Sequence, residues 1–513
     1  MGGFYTAMSG LNADSTSLNT IGNNLSNMST TGYKSSNTEF STAFSQALGM
    51  NGNGEIIGVG TGVNVAANSM DFSAGAISSA SSAADMAIHG SGFFVLNDNG
   101  TMLLTRSGDF QLSSTGILES TSGDAVEGYA ATNGSAKTGT TLTDLTIPVD
   151  STVPGTATST FSFTQNLNAA TPVGGSTTSS ETIYDSDGVG YAANVTYTNL
   201  GANQWSYNIA VPENLTPSQS TNASGDLSYA YKFGASSSGV TNTVDTGTNL
   251  TISGTNSSGS AATITAPVVT SGETVDQYVS ALNNALSAAG ITSVTATNNN
   301  GVLSIAESSS SANLSVGGVV AQDLTNANGT LTFDSGGNLV SPSTSVTGIA
   351  LSGMSDGAAA QNMTWNLTNS SGTPLITQTA GSSSTTADSQ NGYRSGTFSG
   401  FAVGQNGTIT ATFSNGQIDT VGQLAIANVV NQQGLQAVGS TAYQATAASG
   451  AATIGTANAN GNGAIQDAAL EGSNVNISSE FADLIVAQRA FEANSKVVTT
   501  QDSMVQDTIN IEK

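Results

Sequence analysis

The stretch that decides the architecture is FYTAMSGLNADSTSLNTIGNNLSNM, residues 4–28. Its large apolar residues are Phe4, Met8, Leu11, Leu18, Ile21, Leu25 and Met28, separated by 4, 3, 7, 3, 4 and 3 positions. That spacing is a heptad seam on one face of a helix, and no proline interrupts it. The far end repeats it: Ile477, Phe481, Leu484, Phe491, Val498, Val505 and Ile509 are separated by 3, 4 or 7 positions. Ala487 and Ala490 permit close packing, and Asn476 or Ser478 is placed to cap the start. At 1.5 Å per residue the two helices span about 36 Å and about 50 Å. A single apolar stripe is marginal alone in water. The economical solution is that the two ends pair with each other and then with neighbouring copies.

Between the ends the pattern changes. Residues 1–72 are a helix and connector, joined by 441–513 in one inner domain. Residues 73–150 and 362–440 read as one β domain, in which Gly92-Phe93-Phe94-Val95-Leu96 and Met102-Leu103-Leu104-Thr105 flank the hairpin signal Asp98-Asn99-Gly100. Residues 151–235 with 329–361 read as an outer β domain. Residues 236–328 read as an inserted unit with one short amphipathic helix marked by Val275, Val279, Leu282 and Leu286. The expected fold is therefore multidomain: long terminal α-helices form a coiled-coil inner domain, with all-β outer domains inserted between them.

Bulk composition excludes much else. The chain has 513 residues, 8 basic against 34 acidic, and a net charge of −26. Such a chain repels phosphate backbones and anionic membrane surfaces, so nucleic acid is no expected partner. There is no cysteine, which removes disulfides, thiolate zinc sites and cysteine nucleophiles. No stretch approaches the roughly 18 apolar residues of a membrane span, and the start lacks a cleavable signal pattern.

Candidate chemistry is thin. His89 is the one histidine, and a structural role is the expectation. Asp185-Ser186-Asp187-Gly188 resembles the start of a calcium loop, but its twelfth position is Thr196, so a turn is expected. Gly58-Val59-Gly60-Thr61-Gly62 lacks the Lys-Ser/Thr of a phosphate cradle. No catalytic, cofactor or metal residue is assigned, and no enzyme activity is expected.

A resemblance fills the gap. Gly22-Asn23-Asn24-Leu25-Ser26-Asn27-Met28-Ser29-Thr30-Thr31-Gly32-Tyr33-Lys34 resembles the signature of flagellar rod and hook proteins, matching at Asn23, Asn24, Asn27, Thr30, Gly32, Tyr33 and Lys34. At the other end Glu471-Gly472-Ser473-Asn474-Val475-Asn476 and Ala487-Gln488-Arg489-Ala490-Phe491-Glu492-Ala493-Asn494 resemble the family's C-terminal signature. The long middle, with Glu181-Thr182-Ile183-Tyr184-Asp185-Ser186, favours the hook side of the family over a distal rod or hook-associated junction protein. The resemblance implies a secreted structural subunit that polymerises with itself into a flexible curved tube, coupling rod to filament and transmitting torque. It implies contacts with the distal rod protein, the hook cap, the hook–filament junction proteins and the type III export apparatus. It also implies export without a cleaved signal peptide, and Phe40-Ser41-Thr42-Ala43-Phe44 matches the family's export motif at Phe40 and Phe44.

Overall fold

The computed structural model describes residues 2–511 except 44, 51–55, 133, 137–140, 234–243, 245–247, 270–272, 309–312 and 326. It resolves into two compact units, residues 1–151 with 397–513, and residues 152–396.

The first unit contains both chain ends. Helix α1 is Gly2–Ser26 and the last helix is Ile477–Ile511; the short helix Val275–Ala288 in the second unit is α2, so the last is α3. Asn476 caps α3, its Oδ1 accepting from the amides of Ser478 and Ser479 at 3.1 and 3.3 Å. α1 and α3 pack antiparallel: Asn24 near the end of α1 meets Glu480 near the start of α3, and Asp14 meets Asn494 further along. Stepping back from Gly10 to Gly2 on α1 is matched by stepping forward from Asn494 to Asp502 on α3, so the last turns of α3 reach past α1. The other side of α1 carries the hairpin Ser36–Thr42 with Val63–Met70, through Thr20 to Thr38 and Ser9 to the Val63 amide.

The β part of this unit is built from segments far apart in sequence. Phe93–Asp98 pairs with Thr101–Thr105 through the Asn99-Gly100 turn, where both residues have positive φ. Late strand Ile418–Asn428 lies against early strand Ala125–Thr132, with Gly128 opposite Leu424. Phe93, Phe94, Val95 and Leu96 are all buried. Alternate members enter different cores, Phe94 and Leu96 with Ile88, Ile409 and Ile426, but Phe93 and Val95 with Leu104, Leu435 and Tyr443. A strand covered on both faces has no reason to alternate apolar with polar, which accounts for the continuous run.

The second unit has two cores. Around the first, strand Thr160–Asn168 alternates buried and half-buried at every position and packs Phe161 and Phe163 inward with Tyr197, Trp205, Tyr207 and Trp365. Phe161 stacks on Trp365 at 6.4 Å, with 7° between planes. Strands Gln361–Asn366, Ile376–Thr379 and Ser384–Gln390 all pair with Thr160–Asn168. Residues 362–396, read from sequence as part of the first β domain, therefore belong here. Parallel pairing of segments some two hundred positions apart leaves no local signal, and only the alternation of each strand was visible.

The other core surrounds α2. Thr274 and Gln277 form a reciprocal capping box, and Val275, Tyr278, Leu282 and Leu286 are buried. Its contributors run from Leu215 to Val320 and include Tyr231 and Phe233, so the unit begins earlier than position 236. Strand Leu227–Lys232 pairs with Val302–Glu307 and so joins the insertion.

Candidate functional site

The chain's two ends converge on a buried polar junction in the first unit. After α1 the chain turns through 27–32. Asn27 Nδ2 donates to the Asn23 carbonyl and side chain at 2.9 Å, and Thr30 Oγ1 donates to Asn27 Oδ1 at 3.2 Å. These contacts close the helix end locally. Gly32 follows at φ +68°, and a Cβ there would lie 2.4 Å from the Ser107 amide nitrogen. Both the left-handed backbone and the close approach require glycine. Its own amide donates to the Glu471 carbonyl at 2.8 Å.

Lys34 then projects inward. Its Nζ donates to Glu471 Oε1 at 2.7 Å and to the Ser73 carbonyl at 2.6 Å, and neither charged side chain has exposed surface. Glu471 Oε1 also accepts from the Gly75 amide at 2.8 Å, and Oε2 from Arg106 Nη1 at 3.2 Å. Arg106 Nη2 donates to the Gly90 carbonyl at 2.6 Å, and the guanidinium lies over the Phe93 ring, 5.5 Å from its centroid. Two cations thus share one carboxylate. Burial pulls the Lys34 ammonium below its ordinary range, against the opposing pull of Glu471. Burial likewise lowers Arg106, with Glu471 opposing it, though a guanidinium stays charged at any physiological pH. Glu471 holds its place because Ala469–Glu471 pairs with Ile77–Ser79.

A second set of bonds ties the helices to this point. Asn24 accepts from the Ser36 amide at 3.0 Å and the Tyr33 hydroxyl at 3.2 Å, and donates to the Ser36 carbonyl at 2.8 Å and to Glu480 Oε1 at 3.0 Å. Asn474 accepts from the Ser35 amide at 2.7 Å and donates to the Asp71 carbonyl at 2.7 Å. Burial raises the Glu480 carboxyl above its ordinary value, and the bond from Asn24 only partly offsets that. The signature residues Asn24, Gly32, Tyr33 and Lys34 thus act in one place, whereas Asn23, Asn27 and Thr30 shape the turn.

The pairing face of the two helices is smaller and more polar than the apolar stripes. On α1 the buried positions are Ala7, Gly10, Ala13, Ile21 and Asn24, while Thr20 is buried on the hairpin side against Thr38. A Cβ on Gly10 would meet Asn494 Nδ2 at 2.6 Å. On α3 the covered positions include Glu480, Leu484, Ala487, Asn494, Val498 and Gln501. Of the apolar stripe residues, Ile21 is buried, and Phe4, Leu11, Leu18, Leu25, Leu484 and Val498 are half-buried. Met8, Ile477, Phe481, Phe491, Val505 and Ile509 are exposed, as are Tyr5, Ile485 and Val486 outside that reading. Among the export-motif residues, Phe40 is exposed and Phe44 lies outside the described residues.

Arg106 was missed from sequence, as was the role of Glu471. The available signal was scarcity: with 8 basic residues in the chain, a lysine and an arginine flanked by glycine turns stand out. His89 is exposed at the end of Met86–His89, and Asp185 Oδ1 accepts from the Asp187 and Val189 amides at 2.9 Å, which is a side-chain-closed turn. No helix among the described residues is long and apolar enough to cross a membrane.

These segments coincide with known family models. Residues 4–34 match "Flagella basal body rod protein", 87–165 "Flagellar hook protein FlgE/F/G D1 domain", 295–393 "Flagellar basal body protein FlaE D2 domain", and 466–511 "Flagellar basal body rod FlgEFG protein C-terminal". The chain is 28% identical to the flagellar hook protein FlgE of Salmonella typhimurium over 526 positions, covering 99% of each chain. It is 28% identical to that of Treponema pallidum over 543 positions, covering 100% of each. Among solved structures it is similar to Helicobacter pylori flagellar hook protein FlgE2, with a TM-score of 0.35 and 13% identity over 76% of this chain and 99% of that one. The chain is thus similar over its whole length to flagellar hook proteins, and four flagellar rod and hook family models match it in chain order.

Proposed function

We propose that this chain is a structural subunit of the flagellar hook, and not an enzyme, and that it polymerises with its own copies into a flexible curved tube that couples rod to filament and transmits torque. The observation that carries the assembly reading is the outward face of the terminal helices. Tyr5, Met8, Phe481, Ile485, Val505 and Ile509 are exposed on helices whose small and polar residues already face each other. Full burial of one such side chain is worth about 1.5–3 kcal/mol, so covering these rows with the helices of neighbouring copies supplies a driving force repeated at every subunit. In this reading α1 and α3 form the inner wall as a coiled coil, and the β units lie outside it.

The junction at Glu471 then has a mechanical role. It fixes the helix pair to the β part of its own unit, so that load on one passes to the other without shearing the chain. A polar outer surface with few charges makes weak contacts that slide and re-form, which suits bending. In this reading the subunit is exported in an unfolded state and assembles outside the cell. Docking onto the distal rod, growth beneath a cap and capping by junction proteins complete the proposed partner set. Purified chain examined by electron microscopy should form curved tubes unaided. Phe481→Asp should leave a folded monomer that forms none, and tubes of normal length from that variant would overturn the reading.

A further inference from the structure

Helix α3 carries a second apolar seam, distinct from the stripe that its spacing of large residues marks. Val486, Ala490, Ala493, Val497 and Met504 are separated by 4, 3, 4 and 7 positions, and Thr500 fills the one gap in the heptad pattern. At about 100° per residue, this row lies roughly a quarter turn to one side of the face that packs on α1 through Glu480, Leu484, Ala487, Asn494 and Val498. Phe481 lies about as far round on the other side. The seam is open: Val486 is 67% and Met504 63% exposed, and Ala493 and Val497 are exposed between them. Heptad spacing calls for a helix as neighbour, and alanines at its centre call for close approach.

The occupant can be read from the rest of the chain. Among the described residues the other α-helices are α1 and α2, and α2 buries its apolar face in its own core. On α1 the row Phe4, Leu11, Leu18 and Leu25 recurs every 7 positions and is half-buried. Leu11 and Leu18 are each two positions from Ser9 and Thr20, which meet the hairpin, so at about 200° for two residues the row lies on the side of α1 away from it. In an antiparallel heptad pair, residues that directly follow the pairing row on either helix share one side. Leu11 and Leu25 follow Gly10 and Asn24, and Phe481 follows Glu480, whereas Ala490 and Val497 precede Phe491 and Val498. Large residues therefore line one side of the pair and the alanine–valine seam lines the opposite side, so no subunit can bring its own two faces together. Charge agrees with a second copy as the partner. Copies at −26 repel one another, and the first unit's exposed cations among the described residues are Arg489 and Lys496, which directly precede Ala490 and Val497 at the edge of the seam. Antiparallel pairing of the seam with itself would set these cations against their own copies.

Resting on the assembly reading above, we propose that the α3 seam of one copy docks on the Phe4, Leu11, Leu18 and Leu25 row of the next. Small residues then meet large ones, and each contact joins two unlike faces. Every addition leaves one seam and one leucine row free at opposite ends, which gives growth a direction and no built-in stop.

The chain has no cysteine, so engineered cross-links read the contact directly. Ala493→Cys is combined in turn with Phe4→Cys, Leu11→Cys, Leu18→Cys and Leu25→Cys, and the tubes are oxidised and then dissolved in denaturant. At least one double variant should give a ladder of dimers, trimers and longer chains, whereas tubes of Ala493→Cys alone should dissolve to monomers. Dimers from Ala493→Cys alone would mean that the seam meets itself, and tubes that give no ladder in any of the four would mean that it meets something else; either overturns the proposal. Val486→Asp changes a side chain exposed in the monomer, so the monomer should keep wild-type resistance to protease and tube yield should fall at least tenfold. Wild-type tube yield from that variant also overturns the proposal while leaving the assembly reading intact. Failure of the wild-type chain to form tubes would remove the assembly reading itself.

Discussion

Glu471 receives Lys34 on one oxygen at 2.7 Å and Arg106 on the other at 3.2 Å, with no exposed surface on either acid or lysine side chain. The three residues come from the end of the N-terminal signature, a β hairpin and the segment before α3. Burying these charges is expensive, and the cost is partly offset because backbone carbonyls of Ser73, Ile88 and Gly90 accept from Lys34 and from both terminal nitrogens of Arg106, although Arg106 Nε is buried without a partner among the described residues. Its value lies in register, since the chain's two ends can satisfy it in only one alignment.

Glu471→Gln should therefore be severe. It leaves two buried cations facing a neutral amide, and breaking a buried pair typically costs 3–5 kcal/mol, i.e. about a third or more of a typical domain's stability. The second unit supplies an internal control, because both tryptophans, Trp205 and Trp365, are in it. Tryptophan emission should melt as in the wild type, whereas hydrogen exchange of 86–106 and 464–475 should accelerate by orders of magnitude. Equal protection in the variant would mean that the triad contributes little.

Gly32→Ala should cost about 1–3 kcal/mol for left-handed backbone alone, and more for the contact of its Cβ with the Ser107 amide nitrogen at 2.4 Å. Because Gly32 also bonds the Glu471 carbonyl, displacement of the turn should disturb the ion triad. A double variant with Glu471→Gln should lose less than the sum of the single losses in chemical denaturation followed by exchange of the first unit.

The terminal helices were legible because long runs with apolar residues at helical spacing and no proline leave few alternatives. Their contact faces were not. Spacing identifies a stripe of Phe, Leu and Met, but close approach of two backbones selects Ala7, Gly10, Ala13 and Ala487, and large residues at the same level are turned outward. The junction was illegible for a different reason. Lys34 and Glu471 are separated by 437 positions, and no periodicity encodes which acid a lysine will meet. The helix α2 shows the intermediate case, where three of four stripe residues are buried but Tyr278 takes the central place given to Val279.

Glu181 gives a pH-dependent feature in the second unit. It lies on Ser176–Tyr184, and burial, then the neighbouring Asp388, push its carboxyl up to about 7. The stabilising contribution is whole below the ordinary glutamate range and fades as pH climbs through about 7. Tryptophan-detected melting of the second unit should therefore drop between about pH 4 and about pH 8, by a modest amount because the pair is partly solvated. Glu181→Gln should flatten that slope while leaving the acid-side melting point in place. An unchanged slope would show that the pair does not titrate in this range.

Leu484 and Phe481 separate helix pairing from assembly. Leu484 is half-buried on the face of α3 that also carries Glu480 and Ala487, whereas Phe481 is 53% exposed. An aspartate at 484 must desolvate against α1, so Leu484→Asp should unpair the helices and expose both to protease in the monomer, at a cost of several kcal/mol. Phe481→Asp leaves the pairing face untouched and should leave proteolysis of the monomer unchanged, yet it removes an apolar residue from the outward row and adds repulsion between copies of a chain already at −26. Both variants should fail to form tubes, for different reasons, and mixing each with wild type distinguishes them. A Phe481→Asp monomer, still correctly paired, should cap growing tubes and shorten them, whereas unpaired Leu484→Asp should be excluded and leave their length unaltered. If Leu484→Asp shortens tubes as effectively, helix pairing within a subunit is not a precondition for docking.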